Sequence, residues 1–239
     1  MTEPEQPGAP AVPSPSSTVM TLARITLKRL GRGKALWIGA GIAALPAVAA
    51  VIAHARRPTL DARDVFLRVL PLLAVLPAIF VASSLGEELE QRTSTYLWSR
   101  PIARWAVPAG KLCALVPIVI ALTLGGWYAA VLAGTGSGPP LGSSVALAAG
   151  CLAISLVATG IAVVVPRYAM ALTIGYALVD AVVGWLPFSL SELSITHQVR
   201  VLANLGGGPA PIATPVLAMA VVSGLWGAVG LVRIQRTEV

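Results

Sequence analysis

The chain has 239 residues, 56% of them hydrophobic, a mean hydropathy of +0.81 and a net charge of +7. Only 11% of its residues are charged, against about 25% in soluble domains, which excludes a water-soluble globular protein and leaves a bilayer-embedded one. The positive balance does not point to nucleic acid, because the basic residues cluster beside apolar runs, where lipid-facing anchoring accounts for them.

Residues 1–17 are rich in Pro, Ser, Glu and Gln and hold no apolar run. They predict a disordered tail, not a secretory signal peptide, whose basic start leads straight into an apolar stretch. From Thr18 to Lys34, Val19, Ala23, Leu27 and Leu30 recur at helical spacing. Arg24, Lys28, Arg29 and Arg32 fall on the other side of the wheel, with Ile25 out of pattern among them. This predicts an amphipathic helix over 18–34, lying on the membrane surface. Two apolar spans follow, over 35–55 and 65–85, each near the roughly 20 residues that cross hydrocarbon.

Between the second and third spans, residues 86–111 concentrate seven of the 27 charged residues: Glu87, Glu88, Glu90, Arg92, Arg100, Arg104 and Lys111. Leu85, Leu89, Thr93, Tyr96 and Leu97 recur there at helical spacing, with the acids on the other sides. This predicts an amphipathic helix whose early acids and late Arg100 suit its macrodipole. Pro101 ends it, because the ring blocks continuation and biases Arg100 away from helix. Arg104, Trp105 and Lys111 then re-enter the membrane as an interfacial anchor.

Four more spans are predicted over 107–133, 143–165, 168–186 and 212–232. The fourth and fifth meet at Pro166-Arg167 as a tight hairpin. Residues 134–144 form an uncharged, turn-rich loop. Residues 187–211 interleave Leu190, Leu193, Ile195, Val199, Val201 and Leu202 with Glu192, His197 and Arg200, as short helices that cap the bundle or dip into the bilayer would. Gly125, Gly126, Gly150, Gly160, Gly224 and Gly227 favour close helix packing, chiefly within the subunit. Asp180 is the one acid well inside an apolar span, and ionisable residues there default to functional candidates. It is expected to pair with Arg68 or His54, to line a substrate or ion path, or simply to sit at an interface.

With the N-terminus inside, 12 of the 17 Lys and Arg residues fall in cytoplasmic segments, so both termini are expected in the cytoplasm. Cys113 and Cys151 are expected reduced and buried. His54 and His197 have no companions at metal-ligand spacing. No GxxxxGK[ST] phosphate loop is present: Gly31-Arg32-Gly33-Lys34 lacks the spacing, and Gly110-Lys111 is followed by Leu112. The chain is therefore not expected to hydrolyse ATP, and no catalytic, metal or cofactor-binding residues are assigned.

The charged loop resembles the cytoplasmic loop of ATP-binding-cassette (ABC) exporter permeases of the second type. The matching positions are Glu88, Glu90, Thr93, Tyr96, Leu97, Pro101, Arg104, Gly110 and Lys111, with Arg92 where that family usually has Gly. The resemblance implies an all-α integral membrane protein of six transmembrane helices, with an N-terminal interfacial helix over 18–34, a cytoplasmic coupling helix within 86–106 and a short structured external segment, the six spans forming one transmembrane domain over 35–239. It implies an exporter permease in the plasma (inner) membrane, pairing as a homodimer or heterodimer and driven by a separate ATPase subunit that binds the ATP and Mg. The coupling residues it implies are Glu87, Glu88, Glu90, Arg92, Thr93, Arg100, Pro101 and Arg104. A membrane anchor that recruits a soluble partner through the same loop is the alternative. A proton-coupled carrier would need more mid-membrane acids or histidines than the lone Asp180.

Overall fold

The computed structural model describes residues 14–56, 60–90, 105–187, 189–204 and 212–236. Among the described residues, eight α-helices run in chain order: α1 (Pro15–Arg32), α2 (Ala35–Arg56), α3 (Ala62–Glu90), α4 (Ala106–Thr135), α5 (Leu141–Val164), α6 (Ala169–Val183), α7 (Ile195–Leu202) and α8 (Ala213–Arg236). Among the described residues there is no strand. Five of the helices, α2, α3, α4, α5 and α8, are long and apolar enough to cross a membrane.

The stretch read as a fifth span is a shorter element. α6 has 15 residues, about 22 Å at 1.5 Å per residue, against the roughly 20 residues a crossing needs. It stops at Gly184, whose N–H closes onto the Asp180 and Val182 carbonyls. The chain there turns into the segment carrying α7 instead of continuing the helix.

α3 and α5 form the centre of the bundle, and α2 and α8 its flanks. α2 lies chiefly along α4, and α8 along α5. Phe66 of α3 meets Trp127 of α4 edge to face at 5.4 Å, and both rings are fully buried. α3 widens into a π-helical stretch over Ala78–Ala82 directly after Pro77. Pro77 has no N–H to give the preceding turn, so the chain opens there. Phe80 within this stretch presses on α2, where a Cβ on Gly39 would sit 2.4 Å from the ring.

The glycines divide into two groups. A Cβ on Gly126 would lie 2.3 Å from the Ala43 carbonyl oxygen, and one on Gly160 would lie 2.5 Å from the Trp226 carbonyl oxygen. Gly150 leaves room for Val199 of α7. Among the described residues, Gly125, Gly224 and Gly227 have nothing within 4 Å of an added Cβ, so no close helix contact there depends on them. Gly160→Ala is expected to push α8 off α5, at a cost of roughly 1–3 kcal/mol for overpacking against backbone. Thermal unfolding in detergent checks this, and Gly224→Ala is the control expected to leave the midpoint unchanged.

The two cysteines also differ. Cys151 is buried and its thiol donates to Thr123 Oγ1 at 3.3 Å. Cys113, read as buried, is exposed, because it faces away from the neighbours of α4.

Candidate functional site

The two ends of the charged loop enter the bundle side by side. Glu90 closes α3 and Trp105 precedes α4. Arg92, Thr93, Arg100, Pro101 and Arg104 lie outside the described residues, as do Tyr96 and Leu97. Glu87, Glu88 and Glu90 stand on the last turns of α3, and each is at least partly exposed.

Lys111 holds the two ends together. It is 4% exposed. Its ammonium donates to the Ser84 carbonyl, to Ser84 Oγ at 3.0 Å, and to Glu88 Oε2 at 2.9 Å. All three ammonium protons therefore have acceptors on α3. The charges of Glu87 and of Arg29 on α1 also act on it. Lys111 was read from sequence as an interfacial anchor. The structure corrects this, because its head turns inward to the last two turns of α3 instead of outward to the membrane surface.

Two glycines let further elements reach this clamp. A Cβ on Gly110 would lie 2.9 Å from Leu22 Cβ and 3.0 Å from the Val19 carbonyl oxygen, so α1 crosses α4 in direct contact. A Cβ on Gly86 would lie 2.6 Å from the Pro166 carbonyl oxygen, so the turn between α5 and α6 seats on α3. The base of the loop is thus one packed junction of α1, α3, α4 and the Pro166–Tyr168 turn. Glu90 and Trp105, the described ends of the loop, lead directly into this junction.

At the opposite end, Asp180 is 7% exposed and pairs with neither Arg68 nor His54, both of which are exposed. Its Oδ1 accepts the Ile195 N–H and its Oδ2 the Thr196 N–H, each at 2.8 Å. The carboxylate therefore caps the N-terminus of α7, where free amides and the helix dipole favour an anion. Ser194 Oγ donates to the Asp180 carbonyl at 2.9 Å and accepts the His197 N–H at 3.1 Å. Arg200 returns the exchange: its guanidinium donates to the Gly184 carbonyl at the end of α6 and lies 4.3 Å from the centre of the Trp185 ring. Burial is the largest influence on Arg200 and lowers its pKa, while the Asp180 charge works against it. A guanidinium is so strong a base that it stays charged all the same.

α6 thus supplies an anion to the start of α7, and α7 a cation to the end of α6. Gly184 makes the contact possible, since a Cβ there would meet Ser194 Oγ at 2.7 Å and Arg200 Nη2 at 3.2 Å. This geometry gives Asp180 a structural partner and leaves it no free oxygen aimed at a path. The sequence signal for it was Ser194, an N-cap residue directly before the periodic Ile195, Val199 and Leu202. Among the described residues, no three His, Cys, Asp or Glu side chains gather as a metal site.

A search among curated proteins gave no match. A family model for ABC-2 family transporter proteins matches residues 26–183, roughly two thirds of the chain. The match takes in α2 to α5, the charged loop with its clamp, and all of α6 including Asp180. With five apolar helices of spanning length and this match, the chain belongs to the ABC-2 family of transporter proteins, as a multi-pass membrane permease.

Proposed function

We propose that the chain is the permease subunit of an ATP-driven exporter, working as a pair of permeases with two copies of a separate ATPase. The loop between α3 and α4 is the part that receives the ATPase. Glu87, Glu88, Glu90, Arg92, Thr93, Arg100, Pro101 and Arg104 form or position its contact surface, with both chain termini on the same, cytoplasmic side. ATP and Mg are held by the partner, and this chain supplies the path.

The observation that supports this reading most is the clamp of Lys111 on Ser84 and Glu88. A loop that only set orientation would need no buried ammonium joining its two ends. A loop that transmits force needs that stiffness, because motion of a docked helix must move α3 and α4 together. The wider junction spreads the same motion to α1 through Gly110 and to α5 and α6 through Gly86.

A single cysteine placed at Tyr96, in a background with Cys113 and Cys151 replaced by Ala, tests the docking. A short bifunctional reagent applied to intact membranes is expected to join that position to an ATP-hydrolysing subunit. Cross-linking only to lipids or to a second permease would contradict the proposal.

A further inference from the structure

We propose that α1 is a binding site for anionic phospholipid headgroups, built on the ridge of Arg24, Lys28 and Arg32. The three residues recur every four positions on one helix face. They therefore stand about 6 Å apart along the axis. All three are exposed, and within the described residues none has a hydrogen bond or ion pair. Arg29 lies off this ridge, and its charge is felt at Lys111.

Among the described residues, no acidic side chain forms an ion pair with the ridge. Between Glu5 and Asp61 there is no acidic residue. The opposite face of α1 is fixed against the bundle, with Ala23 6% exposed and Val19 and Leu22 over Gly110. The ridge is thus held outward on a rigid support, and α1 cannot roll to hide it.

An anionic lipid and an acidic protein surface would both suit three cations. The apolar neighbours favour the lipid. Met20 is 58% exposed and Leu27 44%, both between the ridge and the buried face, and Ile25, next to Arg24 and one turn from Lys28, is 59% exposed. Trp37, at the start of α2, is 80% exposed. A water-facing protein contact leaves such residues wet, whereas the boundary between headgroups and hydrocarbon covers them. The cationic stems reach along that boundary and place their heads at phosphate level.

The test titrates the full chain, in mild detergent, with fluorescent phosphatidylglycerol and fluorescent phosphatidylcholine of matched acyl chains. Phosphatidylglycerol is expected to bind about tenfold more tightly or better at about 0.1 M salt, given several cations near one anionic surface. The preference is expected to shrink at about 1 M salt, where screening is shorter-ranged. The triple variant Arg24→Gln, Lys28→Gln, Arg32→Gln should abolish the preference, and Arg24→Lys with Arg32→Lys should keep it. Should the triple variant fail to fold, Lys28→Gln alone should still weaken it a few-fold. Arg56→Gln with Arg63→Gln, at the other end of the bundle, should change nothing. Equal binding of the two lipids would overturn the proposal. Displacement by millimolar inorganic phosphate would assign the ridge to a free anion, and tighter binding of polyglutamate than of phosphatidylglycerol would assign it to an acidic protein. Either result overturns the lipid site.

Discussion

Replacing Asp180 by alanine is expected to release α7 from the end of α6, at a cost of about 3–4 kcal/mol, the largest effect of any single change argued for this protein. Three losses combine. The Ile195 and Thr196 amides each lose a charged acceptor at 2.8 Å. The N-terminus of α7 loses its anion. Arg200, half-buried beside Gly184 and Trp185, loses the nearby charge that opposes its desolvation. Asp180→Asn should fall between, because one amide oxygen accepts one of the two N–H groups while the NH2 faces the other. Hydrogen exchange over 195–202 is the direct readout. Protection there should drop strongly in the alanine variant and partly in the asparagine variant, while α3 and α5 stay protected. Unchanged protection at Ile195 and Thr196 would show that the carboxylate does not cap α7.

Lys111→Ala is expected to cost about 2–3 kcal/mol, since it empties a buried site and strips Ser84 of a charged donor. The cost stops short of a fully buried pair because the Glu88 side chain is 31% exposed and regains water. Lys111→Met keeps the stem and removes only the charge, so it should recover the packing share of the loss. Both variants should raise hydrogen exchange at 84–90 and 105–111, where the two ends of the loop part. Glu88→Gln should be milder than either, because Lys111 keeps Ser84. A Lys111→Ala variant with wild-type melting temperature and wild-type exchange at both segments would remove the clamp from the account.

Much of the architecture was legible in hydropathy. The segments over 35–55, 65–85, 107–133, 143–165 and 212–232 correspond to α2, α3, α4, α5 and α8, each helix within a few residues of its expected ends apart from α3, which runs on to Glu90. That extension follows from chemistry the hydropathy window discounts: Glu87, Glu88 and Glu90 lower the mean but continue the helix. The fifth span was overestimated for the opposite reason. Residues 168–186 are apolar but for Asp180 and a few hydroxyls, yet α6 ends at Val183, where Ser194 and Arg200 donate to the Asp180 and Gly184 carbonyls.

The partner of Asp180 was hidden because it is backbone. A carboxylate in an apolar run prompts a search for cations, and Arg68 and His54 were the cations at hand. Two amide donors leave no mark in composition, and the only trace was Ser194 as a cap. Lys111 was misplaced similarly, since Gly-Lys at the start of a span has the pattern of an interfacial anchor. Only the fold shows that Ser84 and Glu88, one turn apart on α3, converge on its ammonium.

The central claim is that this permease is powered through the loop at 86–106 by an ATPase it does not contain. Its most direct test is ATP hydrolysis by the permease complex purified from native membranes in mild detergent. The account predicts that an ATP-hydrolysing subunit stays bound to the wild-type chain and is lost from a folded Glu90→Lys, Arg100→Glu, Arg104→Glu variant. Purified permease without associated hydrolysis, or hydrolysis that stays with the charge-reversed loop undiminished, would contradict it.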